Sequence, residues 1–260
     1  MALNHITFYS KLMEMEMGID VIIPENKWGY SLAERPKDYK YPVLWLLCGG
    51  GFDYTDWQRY TAIELYAAQA GIAVVMPSAY YSGYMDTIHG DYKYFSVITD
   101  EISKLAVKLF PLSEKREDNF VAGFSMGGYG AFRLGLAQPE RYSCIVSLSG
   151  AIDLVLQTRK TSVQMEDVFG DQPMDHTDND NLWKLEQLIK QGVSIPKIYQ
   201  CCGTEDFLYE SNQNVRRKLE QLGVDYTYDE GPGIHNWDYW DPQIRKILEW
   251  LPLKGTLVDA

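Results

Sequence analysis

At 260 residues, with 46% hydrophobic and 13% aromatic side chains, the chain is long enough to bury a large core and too apolar to be disordered. Its 36 Asp and Glu against 24 Lys and Arg leave a net charge of -12, which argues against nucleic acid and anionic membranes as partners. Met1-Ala2-Leu3-Asn4-His5 lacks the basic and apolar regions of a secretory signal, and no apolar run reaches transmembrane length, so a cytoplasmic protein with no membrane partner is expected.

Ile6, Phe8 and Ser10, then Met15, Met17 and Ile19, then Val21 and Ile23 alternate along the chain. That period predicts two antiparallel edge strands with one buried face. Pro24-Glu25-Asn26 and the stretch from Ala33 to Tyr41 read as turns. The run Pro42-Val43-Leu44-Trp45-Leu46-Leu47-Cys48 is apolar throughout and stops at Gly49-Gly50-Gly51. Continuous rather than alternating hydrophobicity marks a central parallel strand covered on both faces. Asp56 to Ala70 suits one helix closed by Gly71, and Ile72 to Met76 a strand running into Pro77-Ser78-Ala79. Ile98, Ile102, Leu105, Ala106 and Leu109 recur at helical spacing until Pro111. Phe120-Val121-Ala122 is strand-like, Gly128 to Ala137 helix-like, and Tyr142 to Leu148 and Lys197 to Cys202 are further strands. Val215, Leu219 and Leu222 form a helical stripe ended by Gly223. Ile244, Ile247, Leu248 and Leu251 form the last stripe, with Asp241-Pro242 in N-cap and N1 positions.

Alternating strand and helix patterns define an α/β protein, a mostly parallel sheet with helices on both faces. One domain spanning residues 1–260 is expected, with residues 151–195 as a small cap insertion, because the pattern loosens there around the polar run from Asp175 to Asn181. Cys48, Cys144, Cys201 and Cys202 lie in or at the ends of strand-like runs without C-x-x-C spacing, which favours buried free thiols over a disulfide or zinc.

Gly123-Phe124-Ser125-Met126-Gly127 joins the strand-like Phe120 to Ala122 to the helix-like stretch that follows. The pentad G-x-S-x-G is cheap by itself. Between a strand and a helix, it is the corner on which an α/β-hydrolase exposes its nucleophile. Ser125 must lose its proton to attack an acyl carbon, so it needs a base within hydrogen-bond reach. Of the four histidines, His5 falls in an edge strand, His176 in the polar insertion, and His89 in a loop where it can line a pocket. His235 follows Gly231-Pro232-Gly233 directly before the last helix, where this fold presents its base. Two carboxylates, Glu205 and Asp206, follow the strand Lys197 to Cys202. Asp206 is favoured as the acid because it lies further into the loop, leaving Glu205 a capping or solvated role. Two N–H donors must receive the oxyanion; Met126 at the positive end of its helix and Gly50 of the glycine loop are the candidates. Three glycines after a strand also suit a phosphate, but no G-K-[ST] follows, and Asp53 and Asp56 would repel one.

Leu46-Leu47-Cys48-Gly49, Asp56-Trp57, the run from Gly123 to Phe132, Gly203-Thr204-Glu205-Asp206 and His235-Asn236-Trp237 together resemble the esterase D family of α/β-hydrolases. That family includes S-formylglutathione hydrolases, tributyrin esterases, feruloyl and acetyl-xylan esterases and mycolyltransferases. The similarity runs from about Met15 to Trp250 and is strongest to small bacterial tributyrin or acetyl esterases. It implies short-chain carboxylester substrates, acetyl to butyryl, with no metal or organic cofactor. Cys48 departs from the pattern: the family usually carries there a histidine that braces the oxyanion loop.

Tyr80-Tyr81-Ser82-Gly83-Tyr84 and Tyr92-Lys93-Tyr94-Phe95 can shape an acyl pocket or stack on a sugar ring, though packing is the default for aromatics in a chain with 19 tyrosines. Three readings follow. The first is a serine carboxylesterase acting on a small-molecule acyl ester, with acylated carbohydrates within range. The second is a thioesterase of the S-formylglutathione hydrolase type. The third is a non-catalytic hydrolase-fold binding protein. A homo-oligomer is compatible with each.

Overall fold

A computed structural model describes residues 1–24, 37–153, 168, 170 and 174–253. Eight strands form one sheet in the order β1-β2-β4-β3-β5-β6-β7-β8. They are β1 (Ala2–Ser10), β2 (Met15–Ile23), β3 (Val43–Leu47), β4 (Ala73–Pro77), β5 (Asn119–Phe124), β6 (Cys144–Leu148), β7 (Lys197–Gly203) and β8 (Tyr226–Gly231). β2 runs antiparallel to both neighbours, and every pair from β4 to β8 is parallel. Of the two strands expected at the edge, only β1 is there. β2 lies inside the sheet, and Ile19 to Ile22 are buried on both faces rather than on one. The reason is that Ile19 and Val21 enter one layer of the core while Ile22 enters the other.

The helices are α1 (Asp56–Tyr60), α2 (Ile63–Ala70), α3, α4 (Met126–Ala137), α5 (Asn181–Lys190), α6 (Tyr209–Leu222) and α7 (Trp237–Trp250). α3 is one continuous rod, Tyr94–Ser96 and Ser103–Leu109 joined through a π-helical segment, Val97–Ile102. On one face of the sheet, Trp45, Leu47, Val121, Ile145 and Ile198 meet Ile98 of α3, Phe132 of α4, Leu185 of α5 and Val215 of α6. On the other, Leu44, Leu46, Phe120, Phe124 and Val146 meet Trp57 of α1, Ala67 of α2 and Ile244 of α7. Each such fully buried Leu, Ile or Phe contributes about 1.5–3 kcal/mol. Alternate residues of a central strand thus feed opposite layers, which is why those strands are apolar throughout.

Two helix boundaries differ from the sequence expectation. The single helix from Asp56 to Ala70 is broken at Thr61-Ala62. Thr61 is extended, its hydroxyl bonds the Trp57 carbonyl and accepts Ile63 N–H, and Ala62 N–H donates to the Asp241 carboxylate at 2.9 Å. Asp241 is therefore spent on another helix, and α7 starts five residues before Pro242, with Asn236 as its N-cap accepting Tyr239 N–H at 3.3 Å. Pro242 sits inside α7, where a missing N–H costs about 3 kcal/mol. Trp240 of the added turns packs tilted on Phe124 at 4.3 Å between centroids, and Tyr239 is buried beside it, which offsets that cost.

All four cysteines are buried free thiols. Of the expected turns, Lys37-Asp38 is one, and residues 25–36 lie outside the described residues. Within the expected cap, Asn181–Lys190 is helix α5, whose Leu185 joins the core. Residues 154–167, 169 and 171–173 lie outside the described residues. At the C-terminal edge of the sheet, β3 delivers the glycine loop, β5 delivers Ser125, β7 delivers Asp206 and β8 leads to His235. Parallel strands present their ligand-facing loops at that edge.

Candidate active site

Ser125 stands at the corner between β5 and α4 with φ 55° and ψ −120°, a conformation that costs a non-glycine residue about 1–3 kcal/mol. Backbone bonds hold it there: Ser125 N–H donates to Leu148 O at 2.9 Å, and Ser125 O accepts from Gly128 and Ala151 N–H at 3.0 Å each and from Tyr129 N–H at 3.4 Å. The flanking glycines are demanded by contact. A Cβ on Gly123 would lie 2.3 Å from the Gly127 carbonyl oxygen, and one on Gly127 would lie 2.6 Å from that of Cys48.

The imidazole of His235 lies between the serine and a carboxylate. Its Nε2 is 2.9 Å from Ser125 Oγ, and its Nδ1 is 2.8 and 3.0 Å from Asp206 Oδ2 and Oδ1. A carboxylate accepts only, so Nδ1 carries the proton, and Nε2 is left to accept from the serine hydroxyl. The Asp206 side chain is fully buried and that of His235 is 16% exposed. Burial pushes the Asp206 carboxyl up, but the bonds from His235 and from Leu208 N–H at 2.8 Å outweigh it and hold the group below its ordinary range. The imidazole is flanked by Phe207 at 4.5 Å and, edge-on, by Trp240 at 4.9 Å between centroids. Glu205, the competing carboxylate, bonds Gly233 N–H rather than the imidazole.

Gly50 and Met126 face the same space, a Cβ on Gly50 falling 3.7 Å from Met126 Sδ. Gly51 N–H is engaged by Tyr80 O at 3.2 Å and Phe52 N–H by Gly49 O at 3.3 Å, whereas the N–H groups of Gly50 and Met126 have no protein partner among the described residues. Met126 opens α4 and adds the positive end of its dipole. The structure supplies a support for this loop that the sequence did not reveal. The fully buried Tyr84 donates its hydroxyl to the Cys48 carbonyl at 2.7 Å, and Trp57 Nε1 donates to Leu47 O at 3.1 Å. Burial pushes the Cys48 thiol up to about 11, so it stays protonated and is no base. The signal for Tyr84 lay in Ser82-Gly83-Tyr84, where Tyr84 takes φ 55° and its N–H reaches Ser82 Oγ at 3.1 Å.

The other tyrosines do gather. Tyr80, Tyr81, Tyr92, Tyr94, Thr87 and His89 line a cleft of about 430 Å³. The Tyr81 ring is 3.3 Å from the Cβ position of Gly50, so the cleft adjoins the glycine loop. His5 instead bonds Asp20 at 2.6 Å on the first two strands, and His176 is exposed near Asp180. Among the described residues, no group of three or more His, Cys, Asp or Glu is placed to hold a metal, and no helix is long and apolar enough to cross a membrane.

A serine on a strand-to-helix corner of a mostly parallel sheet, with histidine and aspartate reaching it from later strands, defines a hydrolase of the α/β-hydrolase fold. The family model described as "Putative esterase" matches residues 10–251, and the chain belongs to that esterase family. An acetyl esterase of Caldicellulosiruptor saccharolyticus is 31% identical over 261 residues, covering 96% of this chain and 98% of that one. The substrate-bound structure of the fluorophosphonate-binding serine hydrolase FphF of Staphylococcus aureus superposes with a TM-score of 0.88 at 32% identity, covering 98% of this chain and 99% of its own. The S-formylglutathione hydrolase FrmB of the same organism gives a TM-score of 0.84 at 31% identity, with 96% and 99% covered. The protein is a carboxylic ester hydrolase.

Proposed function

We propose that the protein hydrolyses short-chain acyl esters, acetyl to butyryl, with Ser125 as nucleophile, His235 as base and Asp206 as its partner. The observation that carries this reading is the imidazole set between Ser125 Oγ and the Asp206 carboxylate, with both bonds within 3.0 Å. Ser125 Oγ attacks the acyl carbon as its proton passes to His235 Nε2. The carbonyl oxygen becomes an oxyanion facing Gly50 and Met126 N–H, donors that act without rearrangement. The tetrahedral intermediate collapses when Nε2 returns the proton to the leaving alcohol, which leaves an acyl-enzyme. Water then repeats the sequence and frees the acid.

Two surfaces bear on the substrate. Beside the nucleophile, Phe124 packs on Phe52, Trp57 and Trp237 with centroids 4.7 to 5.4 Å apart, a filled block that leaves little room for a long acyl chain. The tyrosine-lined cleft next to the glycine loop suits the flat apolar face of a pyranose, which makes an acylated sugar the favoured natural ester. The thioesterase reading is favoured by the S-formylglutathione hydrolase neighbour. Residues 151–195 are read as an insertion over the site within one domain.

Ser125→Ala should lower kcat on the order of a thousandfold or more with the fold intact. Assays on p-nitrophenyl acetate to decanoate, acetylated xylan oligomers and S-formylglutathione then rank the substrates. Retained activity in the variant would sink the mechanism. Equal rates on decanoate would sink the short-chain reading, and S-formylglutathione outrunning every ester would replace it with the thioesterase.

A further inference from the structure

Asp206 and His235 ride on loops from neighbouring strands, so the alignment of carboxylate and imidazole depends on what ties those loops together. β7 and β8 pair in register to their last residues, Gly203 opposite Gly231. Beyond the pairing, Thr204 N–H donates to Gly231 O at 2.9 Å and Glu205 N–H donates to Gly233 O at 3.0 Å. The Glu205 carboxylate then turns back and accepts Gly233 N–H at 2.5 Å. One residue, directly before Asp206, thus holds both the N–H and the carbonyl of a glycine two positions before His235.

Gly233 needs that hold. Its φ of +154° suits glycine, and a Cβ there would meet the Tyr239 ring at 2.6 Å, so no side chain of its own can anchor the turn. A Cβ on Gly203 would lie 2.2 Å from the Gly233 carbonyl oxygen, which shows how closely the two loops are pressed. The bond from Gly233 N–H draws the Glu205 carboxyl below its ordinary range, so the anion is the accepting form at neutral pH. Glu205 is exposed, and among the described residues it makes no hydrogen bond to His235 or Ser125.

We propose that Glu205 is a positioning residue that clamps Gly233 through its carboxylate and its N–H, and so fixes the loop on which His235 spans Asp206 and Ser125. The proposal rests on the serine-esterase reading above. A catalytic group displaced by a fraction of an ångström loses far more rate than binding, so the clamp belongs in kcat and not in KM.

The test compares the parent enzyme with Glu205→Ala and Glu205→Gln, with Ser125→Ala as the blank. Active sites are counted by titration with a p-nitrophenyl alkylphosphonate. For Glu205→Ala, kcat per titrated site on p-nitrophenyl acetate and the rate of phosphonylation should fall together by about tenfold, with KM within about twofold. The downfield proton resonance of His235 Nδ1–H should broaden. Glu205→Gln keeps an oxygen that can accept Gly233 N–H and should restore most of both rates. The clamp is refuted by an alanine variant within about twofold of the parent per site, by a loss that reflects only fewer titratable sites, or by a glutamine variant as slow as the alanine one. Activity in Ser125→Ala would instead overturn the esterase mechanism.

Discussion

Ser125, itself partly exposed, sits where β5 meets α4 with Gly123, Phe124, Met126 and Gly127 buried around it, whereas His235 sits on a half-exposed loop whose position is set by hydrogen bonds from other loops. At the first site the geometry is carried by backbone packed on backbone: Gly123 against the Gly127 carbonyl, Gly127 against the carbonyls of Leu47 and Cys48. At the second it is carried by hydrogen bonds between loops, in which the Asp206 and Glu205 carboxylates join the main-chain N–H groups of Thr204 and Glu205. Ser125 is thus part of the fold's construction, while His235 is adjusted onto it. Damage near the serine should therefore appear as instability, and damage near the histidine as lost rate in a stable protein.

The sharpest way to break that contrast is Gly127→Ala. The new methyl would meet two main-chain carbonyl oxygens, at 2.6 and 2.7 Å, and neither can swing aside as a side chain would. β3 and α4 must part, at a cost of about 3 kcal/mol or more. The expected result is a large fall in thermal midpoint and in yield of folded protein. An unfolding midpoint within about 2 °C of the parent would show that the corner is more pliable than this packing allows.

Asp206→Asn comes next, at the opposite pole. It should leave folding largely intact at neutral pH and cost on the order of a thousandfold in kcat, because an amide no longer enforces the Nδ1–H tautomer or stabilises the imidazolium. The acid limb of stability adds a second readout. The Asp206 carboxyl is held below its ordinary 3.8 in the folded protein. A depressed carboxylate stabilises the fold above its unfolded pKa and loses that contribution as pH falls through the folded value. Urea midpoints followed from about pH 6 to about pH 3 should fall less steeply for Asp206→Asn than for the parent. Parallel curves would remove Asp206 from the acid response.

What was legible in the sequence follows the same divide. The central strands could be read because burial on both faces leaves an unbroken apolar run, as in Val43 to Leu47. The elbow could be read because its two glycines answer contacts within a few residues or at the adjoining strand. The break at Thr61-Ala62 could not, since its cause is Asp241, 179 residues away. The start of α7 was missed for the same reason: Asp241-Pro242 has the local form of a cap, but its carboxylate serves α2, and the aromatic residues before it pack on Phe124. Gly50, Met126, Asp206 and His235 could be nominated from fold logic. The supports beneath them, Tyr84 and the Glu205 carboxylate, make long-range bonds, and the local turn at Ser82-Gly83-Tyr84 does not disclose which carbonyl the Tyr84 hydroxyl reaches.

The smallest expected effect concerns the support under the glycine loop at Cys48. Tyr84 donates to the Cys48 carbonyl and not chiefly to its side chain, the hydroxyl lying 2.7 Å from the oxygen and 3.6 Å from the sulfur. The brace therefore acts on the backbone that leads into Gly50 and is indifferent to which side chain residue 48 carries. Tyr84→Phe removes only the hydroxyl and leaves a buried carbonyl short of a partner, worth about 1–3 kcal/mol. That penalty should appear partly as a thermal midpoint lower by a few degrees and partly as a fall of about tenfold in kcat, since a loosened Gly50 N–H receives the oxyanion less well. Cys48→Ala keeps the bond to the carbonyl, and the thiol it removes is protonated, with its pKa near 11, so its kcat should stay within about threefold of the parent. Steady-state kinetics on p-nitrophenyl acetate decide between them. If Cys48→Ala proves the slower variant, the thiol and its contacts to Phe52 O at 3.4 Å and Pro77 O at 3.7 Å hold the loop. The buried tyrosine would then be packing and nothing more.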